Sequence, residues 1–257
     1  MNSNILKKYL KLFDLSLLGK INQGYCPICE RSTYFIQFSN WLRDYYKCVH
    51  CDSIPRQRAL VSALNLFVPK WKSLAIHESS PCGPASEYIK RNSPQYTQSF
   101  FFPNIALGTH YNGNRCENLE SMTFPDNSFD LFITQDVMEH VNNPEKAFRE
   151  ISRVLKPNGI YLFTVPIYQN LDRSSPRILV EEDGQIHTIK EPVYHGNPID
   201  INGSLVTYDY GLDFSDLIFK WSRMLTTIYV CRDRKLGIDG EFLEVCISRK
   251  GSESNIL

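Results

Sequence analysis

The stretch Ser128-Phe-Asp-Leu-Phe-Ile-Thr-Gln-Asp-Val-Met-Glu-His-Val-Asn-Asn-Pro-Glu-Lys-Ala-Phe-Arg-Glu-Ile-Ser-Arg-Val-Leu-Lys-Pro-Asn-Gly159 decides the fold. Asp130–Gln135 is a near-continuous apolar run, which predicts a strand buried on both faces rather than a strand with one wet face. From Pro144 to Leu155 the apolar period changes: Ala147, Phe148, Ile151, Val154 and Leu155 fall on one side of a helix. Lys156-Pro-Asn-Gly159 stops that helix, and Ile160–Val165 reads as the next strand. A buried strand, a crossover helix and a second buried strand make a parallel βαβ unit.

Working outward, Ser73–His77 and Tyr96–Phe102 read as further strands with a helix at Pro84–Arg91 between them. Near the C-terminal end, Thr226–Cys231 and Phe242–Ser248 read as strands joined by the turn-rich Asp233–Gly240. The expected fold is α/β, a Rossmann-like doubly wound sheet closed by an antiparallel hairpin, with a small zinc ribbon in front. The expected partition is an amphipathic helix over 1–21, a four-cysteine module over 22–54, a connecting helix over 55–69 and the main domain over 70–250, with an insertion at 167–212.

Glu117-Asn-Leu-Glu-Ser-Met-Thr-Phe-Pro-Asp-Asn-Ser-Phe-Asp130, the Glu139-His140 pair and Lys156-Pro-Asn-Gly159 together resemble class I S-adenosylmethionine-dependent methyltransferases of the UbiE/UbiG-like type. The resemblance covers roughly residues 73–166 and is specific over 117–166. It implies S-adenosyl-L-methionine as cofactor, bound where such sheets bind ligands, at the carboxyl ends of the strands. The positions this assigns to cofactor binding are Glu78, Ser80, Gly83, Asn118, Leu119, Gln135 and Asp136. The sequence departs from the family at the first of these loops. His77-Glu-Ser-Ser-Pro-Cys-Gly83 puts serine, proline and cysteine where a glycine-rich turn lets the backbone approach a ligand. Phe100-Phe-Phe-Pro-Asn104 also ends in no carboxylate for ribose hydroxyls, and Asn118 stands where the family commonly has an aspartate.

Cys26-Pro-Ile-Cys29 and Cys48-Val-His-Cys51 are separated by 18 residues, positions 30–47. Two residues between thiolates let one turn aim both sulfurs at one ion, and two such turns complete a tetrahedral zinc site. The ligands expected are therefore Cys26, Cys29, Cys48 and Cys51, with His50 outside the set, and the zinc is structural because protein fills all four positions. Tyr34–Phe38 and Tyr45–Cys48 read as ribbon strands. Ser53 and Pro55 then start a helix whose Arg56 and Arg58 are expected to be solvated, the alternative being that they face the cleft. Cys82, Cys116, Cys231 and Cys246 are scattered, a pattern of free thiols in a reducing cytoplasm rather than a disulfide scaffold.

Lys+Arg and Asp+Glu balance at 28 each, which makes a nucleic-acid partner an unlikely expectation. No uninterrupted apolar run is long enough to span a membrane. Ile5, Leu6, Tyr9, Leu10, Phe13, Leu17 and Leu18 repeat at helical spacing, broken by charges, and predict a helix that packs on the protein or on a second copy in a homodimer. Within the insertion, Ile178–Glu182 and Gln185–Ile189 carry a hairpin signal, and the remainder is dense in Tyr, His, Asn and Asp. Long ordered polar loops on such a sheet cover the acceptor pocket. His195 is the first candidate for a catalytic base and His140 the second, the alternative for each being a purely structural histidine. The expected activity is O-methylation of a small hydroxyl-bearing acceptor such as a sugar or glycan. The competing expectations are a zinc-ribbon adaptor on a catalytically silent methyltransferase fold and an rRNA methyltransferase.

Overall fold

The computed structural model describes residues 19–180, 185–196 and 202–252. The helix expected over 1–21, with its proposed dimer contact, falls largely on residues 1–18, outside the described residues. Where the two overlap, the expectation is corrected. Gly19 has φ +90°, which no helix continues through, and Ile21 already opens a strand.

That strand, β1 (Ile21–Cys26), pairs antiparallel with β2 (Arg31–Gln37). A single helical turn, α1 (Leu42–Tyr45), leads into β3 (Tyr46–Cys48) on the far side of β2. The three-stranded ribbon brings both cysteine turns to one end. α2 (Pro55–Phe67) follows, with proline in its first turn as the sequence suggests. Then come β4 (Ile76–Ser79), α3 (Gly83–Asn92) and β5 (Tyr96–Phe100). β4 begins later than the expected Ser73 because Trp71–Ser73 forms a 3₁₀ turn that buries the Trp71 ring against Tyr88. Short β6 (His110–Tyr111) and β7 (Asn114–Cys116) precede β8 (Phe129–Gln135), α4 (Pro144–Val154) and β9 (Leu155–Thr164).

Between β9 and the last helix, six strands of two or three residues make three small antiparallel pairs. These are β10 (Ser175–Pro176), β11 (Ile178–Val180), β12 (Ile186–Thr188), β13 (Tyr194–His195), β14 (Ser204–Leu205) and β15 (Tyr208–Asp209). The hairpin read from sequence is β11–β12, with Ile178 opposite Thr188. α5 (Phe214–Ser222), β16 (Leu225–Tyr229) and β17 (Val245–Arg249) close the chain.

The central sheet has the order β16-β17-β9-β8-β4-β5-β7-β6. β7, β5, β4, β8 and β9 run parallel, while β17 is antiparallel to β9 and to β16. This is the Rossmann-like doubly wound sheet with the closing antiparallel hairpin that the sequence predicts. From β4 the chain first winds outward through β5 and then returns to place β8 on the other flank. The carboxyl ends of β4 and β8 therefore form the switch point where such sheets bind ligands.

Alternation along β8 splits the core in two. Leu131 and Ile133 pack with Ile160, Leu162, Val245 and Ile247 against α2 and α3, whereas Phe132 packs with Tyr161 and Phe163 against Phe148, Phe214 and Ile218 of α4 and α5. The ribbon joins the first of these cores: Cys26, Phe35 and Tyr46 lie in the same cluster as α2. Arg58 stands at the junction and is not solvated, contrary to expectation, with no exposed surface. It donates to the carbonyls of Ser53, Tyr46 and Gly237, and its guanidinium lies 4.6 Å from the Phe35 ring centre. Three carbonyls and an aromatic face replace the water it gives up, although burial still pulls its pKa down to about 10. The segment between β16 and β17 completes the seat: Asn22 donates to the Arg234 carbonyl, and a Cβ on Gly24 would collide with the Lys235 carbonyl.

Candidate active site and cysteine cluster

The four cysteine sulfurs converge. Cys26 Sγ lies 3.7 Å from Cys51 Sγ, Cys29 Sγ lies 3.8 Å from Cys48 Sγ, and all four are within 4.8 Å of one another with no disulfide among them. A tetrahedron of zinc–sulfur bonds at about 2.3 Å places its sulfurs about 3.8 Å apart. Without a cation the four cannot all ionise. Hydrogen bonds from Cys29 and Cys51 hold Cys26 down and those from all three other sulfurs hold Cys48 down, while donation toward Cys26 pushes Cys29 and Cys51 up.

A cleft of about 1120 Å³ opens at the carboxyl ends of β4, β5 and β8. Its floor carries Ser80, Phe100, Asn118, Leu119, Gln135 and Asp136. Ser80 and Asp136 both adopt the left-handed conformation, φ +54° and +52°, which non-glycine residues rarely take; the turns that a glycine-rich loop would make here are made under strain. Asn118 accepts from the Glu120 amide at 2.9 Å and so shapes the loop at the cleft edge.

Two of the residues expected to contact cofactor do not reach the cleft. Glu78 is wholly buried below the floor, accepting from Ser86 Oγ (2.7 Å), Tyr96 Oη (2.7 Å) and Gln135 Nε2 (2.8 Å). Burial raises its pKa and these three donors oppose the shift, so it acts as a clamp between β4, α3, β5 and β8. Gly83 faces away, with Gln57 packed where its Cβ would stand and φ at +77°. Its sequence position identifies a special backbone, and that backbone serves the α2–α3 contact. Gln135 lines the cleft, but its amide is turned down onto Glu78 and Ser86.

Asp136 does face the cleft, and its partners come from the ribbon, from α2 and from β9. Arg43 Nη2 donates to Asp136 Oδ2 at 2.6 Å, Arg56 Nη1 lies 3.0 Å from the same atom, and Thr164 Oγ1 donates to Oδ1 at 2.8 Å. Burial works against its ionised form, but the two guanidiniums outweigh it and hold the carboxyl well below the ordinary aspartate range. Arg43 is anchored by Nε to the Phe242 carbonyl at 3.2 Å, and Trp41 packs its ring against Phe242. Sequence reasoning missed Arg43 altogether. Arg56 follows the cleft-facing alternative, because α2 enters beside the floor.

The opposite wall is the insertion. Thr207 donates from its backbone to the Glu139 carbonyl and from its hydroxyl to that of Val141 at 2.6 Å, and Tyr210 donates to Met138 O. The 3₁₀ turn Met138–His140 after β8 is thereby locked to β14 and β15. Both candidate histidines stand here, with ring centres 5.1 Å apart and perpendicular. His140 Nδ1 donates to the Leu205 carbonyl at 2.8 Å, which leaves Nε2 with its lone pair directed elsewhere. Glu139, also missed, lies between the two rings: its Oε1 is 3.9 Å from His140 Nε2 and 3.7 Å from His195 Nδ1. Its side chain is 2% exposed, and neither oxygen has a hydrogen-bond partner among the described residues.

Residues 89–163, from within α3 to the end of β9, match the family model described as Methyltransferase domain. Among curated proteins, the ubiquinone/menaquinone biosynthesis C-methyltransferase UbiE of Cronobacter sakazakii is 38% identical over 60 residues, which cover 22% of this chain and 24% of that protein. The UbiE of Hydrogenovibrio crunogenus is 50% identical over 42 residues, 16% of each chain. The chain thus spans about a quarter, or less, of these relatives. Among solved structures, an S-adenosylmethionine-dependent methyltransferase from Mesorhizobium loti overlays 75% of this chain and 98% of its own with TM-score 0.49 and 14% identity. A Burkholderia thailandensis 1,6-didemethyltoxoflavin-N1-methyltransferase, solved with its substrate and S-adenosylhomocysteine, covers 77% and 79% with TM-score 0.48 and 9% identity. The matched segment covers the part of the sheet from β5 to β9, which carries much of the cleft floor.

Proposed function

We propose that this chain is an S-adenosylmethionine-dependent methyltransferase that methylates a hydroxyl of a small acceptor such as a sugar, a glycan or a related metabolite. The observation carrying this reading is the single cleft at the sheet's switch point, whose floor and insertion wall offer two chemically different ends. The floor, from Ser80 across Asn118 and Leu119 to Asp136, fits a nucleoside-bearing ligand. Two left-handed turns expose backbone there, and the Phe100 and Phe101 rings flank it. The other end, at His140 and His195, is where the acceptor hydroxyl is held and its acidity raised. Bound S-adenosylmethionine supplies an electrophilic methyl group on a sulfonium, and the chain's task is to align an oxygen with it and remove that oxygen's proton.

The insertion supplies a polar, aromatic wall of Tyr194, His195 and Ser204, chemistry suited to a polyhydroxylated acceptor. A nucleic-acid acceptor is not favoured, because Arg43, Arg56 and Arg58 are all consumed internally rather than presented as a basic face. The cysteine cluster holds a structural zinc ion, since four sulfurs at tetrahedral spacing leave no position for substrate. No described helix is long and apolar enough to cross a membrane, and free thiols fit a reducing compartment such as the cytoplasm. Calorimetry with S-adenosylmethionine and S-adenosylhomocysteine tests the assignment. Binding of either at micromolar levels is expected, and no heat up to about 1 mM would leave the silent-fold alternative standing. Transfer of labelled methyl to sugars, with the product linkage determined, then separates O-methylation from C- or N-methylation.

A further inference from the structure

The acceptor end of the cleft contains a carboxylate that the proposed reaction does not by itself explain. Glu139 is buried to 2% and neither of its oxygens is hydrogen-bonded among the described residues. An unpaired buried carboxylate costs several kcal/mol unless something cationic meets it. Arg43, the buried guanidinium of this cleft, spends its Nη2 on Asp136 and its Nε on Phe242, and it acts on Glu139 only through space, with no hydrogen bond or ion pair. What Glu139 faces at close range is two imidazoles. The lone pair of His140 Nε2 is left available by the Nδ1 bond to Leu205, a fixing of tautomer and ring by a backbone carbonyl that is usual for metal-bound histidine. His195 reaches the same point from the insertion, and the three donor atoms lie within 4.8 Å of one another.

We infer that Glu139, His140 and His195 form a second metal site, for a divalent transition cation such as Mn²⁺, distinct from the cysteine cluster and open to the cleft. Two imidazoles and one carboxylate suit Mn²⁺, Fe²⁺, Co²⁺ or Zn²⁺ better than the all-oxygen cations Mg²⁺ and Ca²⁺. Metal bonds of about 2.1 Å put adjacent donors about 3.0–3.4 Å apart. The observed 3.7 and 3.9 Å are brought to that spacing by small side-chain rotations. Three protein ligands leave coordination positions vacant toward the cleft, so the ion can take the acceptor's oxygen directly. There it lowers the pKa of the bound hydroxyl, which loses its proton to water. This role of the ion rests on the methyltransferase reading, whereas the binding site itself does not.

The test uses the full chain with its cysteine cluster loaded with zinc, titrated with Mn²⁺ and followed by loss of the free-ion paramagnetic resonance signal. One Mn²⁺ per chain is expected. His195→Ala and Glu139→Gln should each weaken it by about tenfold or more, with the bound zinc unchanged as proof that each variant folds. His187→Ala, elsewhere in the insertion, should bind as the parent does. No Mn²⁺ bound up to about 1 mM overturns the inference, as does wild-type affinity in either site variant. S-adenosylmethionine binding, measured without Mn²⁺ on the same preparation, reads the methyltransferase assignment separately, so failure of one is not failure of the other.

Discussion

Two clusters of metal-competent side chains, one inside the ribbon and one on the wall of the cleft, are assembled in opposite ways. The cysteine cluster is built from two short turns whose spacing is written in the chain, with Cys26 and Cys29 on one and Cys48 and Cys51 on the other. The Glu139–His140–His195 cluster joins the turn after β8 to β13 of an insertion that begins only after β9 has been laid down. One is closed on itself by four like ligands. The other is open on one side, mixed in ligand type, and held by a neighbouring layer in which the Thr207 and Tyr210 hydroxyls donate to the carbonyls of Val141 and Met138. A ligand set meant to stabilise can be local and complete; a set meant to receive a substrate must be left incomplete and borrow its rigidity from elsewhere.

The largest expected effect falls on the closed cluster. Cys48→Ser should abolish stoichiometric zinc, and zinc in comparable peptides contributes about 10 kcal/mol or more of apparent folding free energy. Because Arg43 and Arg56 reach from this region to Asp136, S-adenosylmethionine affinity should fall with it, by about tenfold. Metal analysis and calorimetry check both, and intact cofactor binding without zinc would show that the ribbon is no wall of the cleft.

The open cluster should behave differently. Glu139→Gln is expected to cost about a hundredfold in methyl transfer. With Mn²⁺ withheld and the zinc retained, the same change should raise the thermal midpoint, because a neutral amide costs less to bury unpaired than a carboxylate. A cysteine variant can show no such opposition. Differential scanning calorimetry beside a methylation assay decides it, and a variant that loses stability together with activity would make Glu139 structural.

Third in size is the link between the two regions. Arg43→Ala leaves Asp136 with Arg56 and Thr164 as its partners and should cost about 2 kcal/mol in urea unfolding. The sign of the accompanying pH effect follows from Asp136, whose folded pKa is depressed. Its contribution is fully present above the ordinary aspartate pKa of about 3.9 and is lost as pH falls below it. Acid unfolding of Asp136→Asn should therefore lack that part of the wild-type dependence below about pH 4. Smallest is Ser80→Gly, which relieves a φ of +54°. It should stabilise by about 0.5 kcal/mol and leave cofactor affinity within about threefold, the serine being an occupant of a glycine-type turn rather than a ligand.

Much of the fold was legible because its signals are local. The apolar run over β8, the amphipathic α4 and the paired cysteines each lie within a few turns of chain, and each element sits within a few residues of its expected place. The candidate site was legible by edge rather than by contact. Knowing that Ser80, Asn118 and Asp136 follow parallel strands places them on the cleft, but not which partners they take. Glu78 looked like a ligand because it stands at the acidic position of the family motif that the sequence resembles. Only the structure shows Ser86, Tyr96 and Gln135 consuming it from three other elements. Arg43 carries no signal at all, since nothing in a one-turn helix at residue 43 announces a carboxylate 93 positions away. Glu139 was read as part of a motif, and its lack of partners is a property of three dimensions.

The seat of the ribbon has a consequence for how the molecule comes into being. Asn22, Gly24 and Arg58 all meet the segment Arg234–Gly237, which leads into the final strand. Docking of the ribbon therefore depends on contacts 179 and 212 positions apart in the chain, which makes its seating a late step of folding.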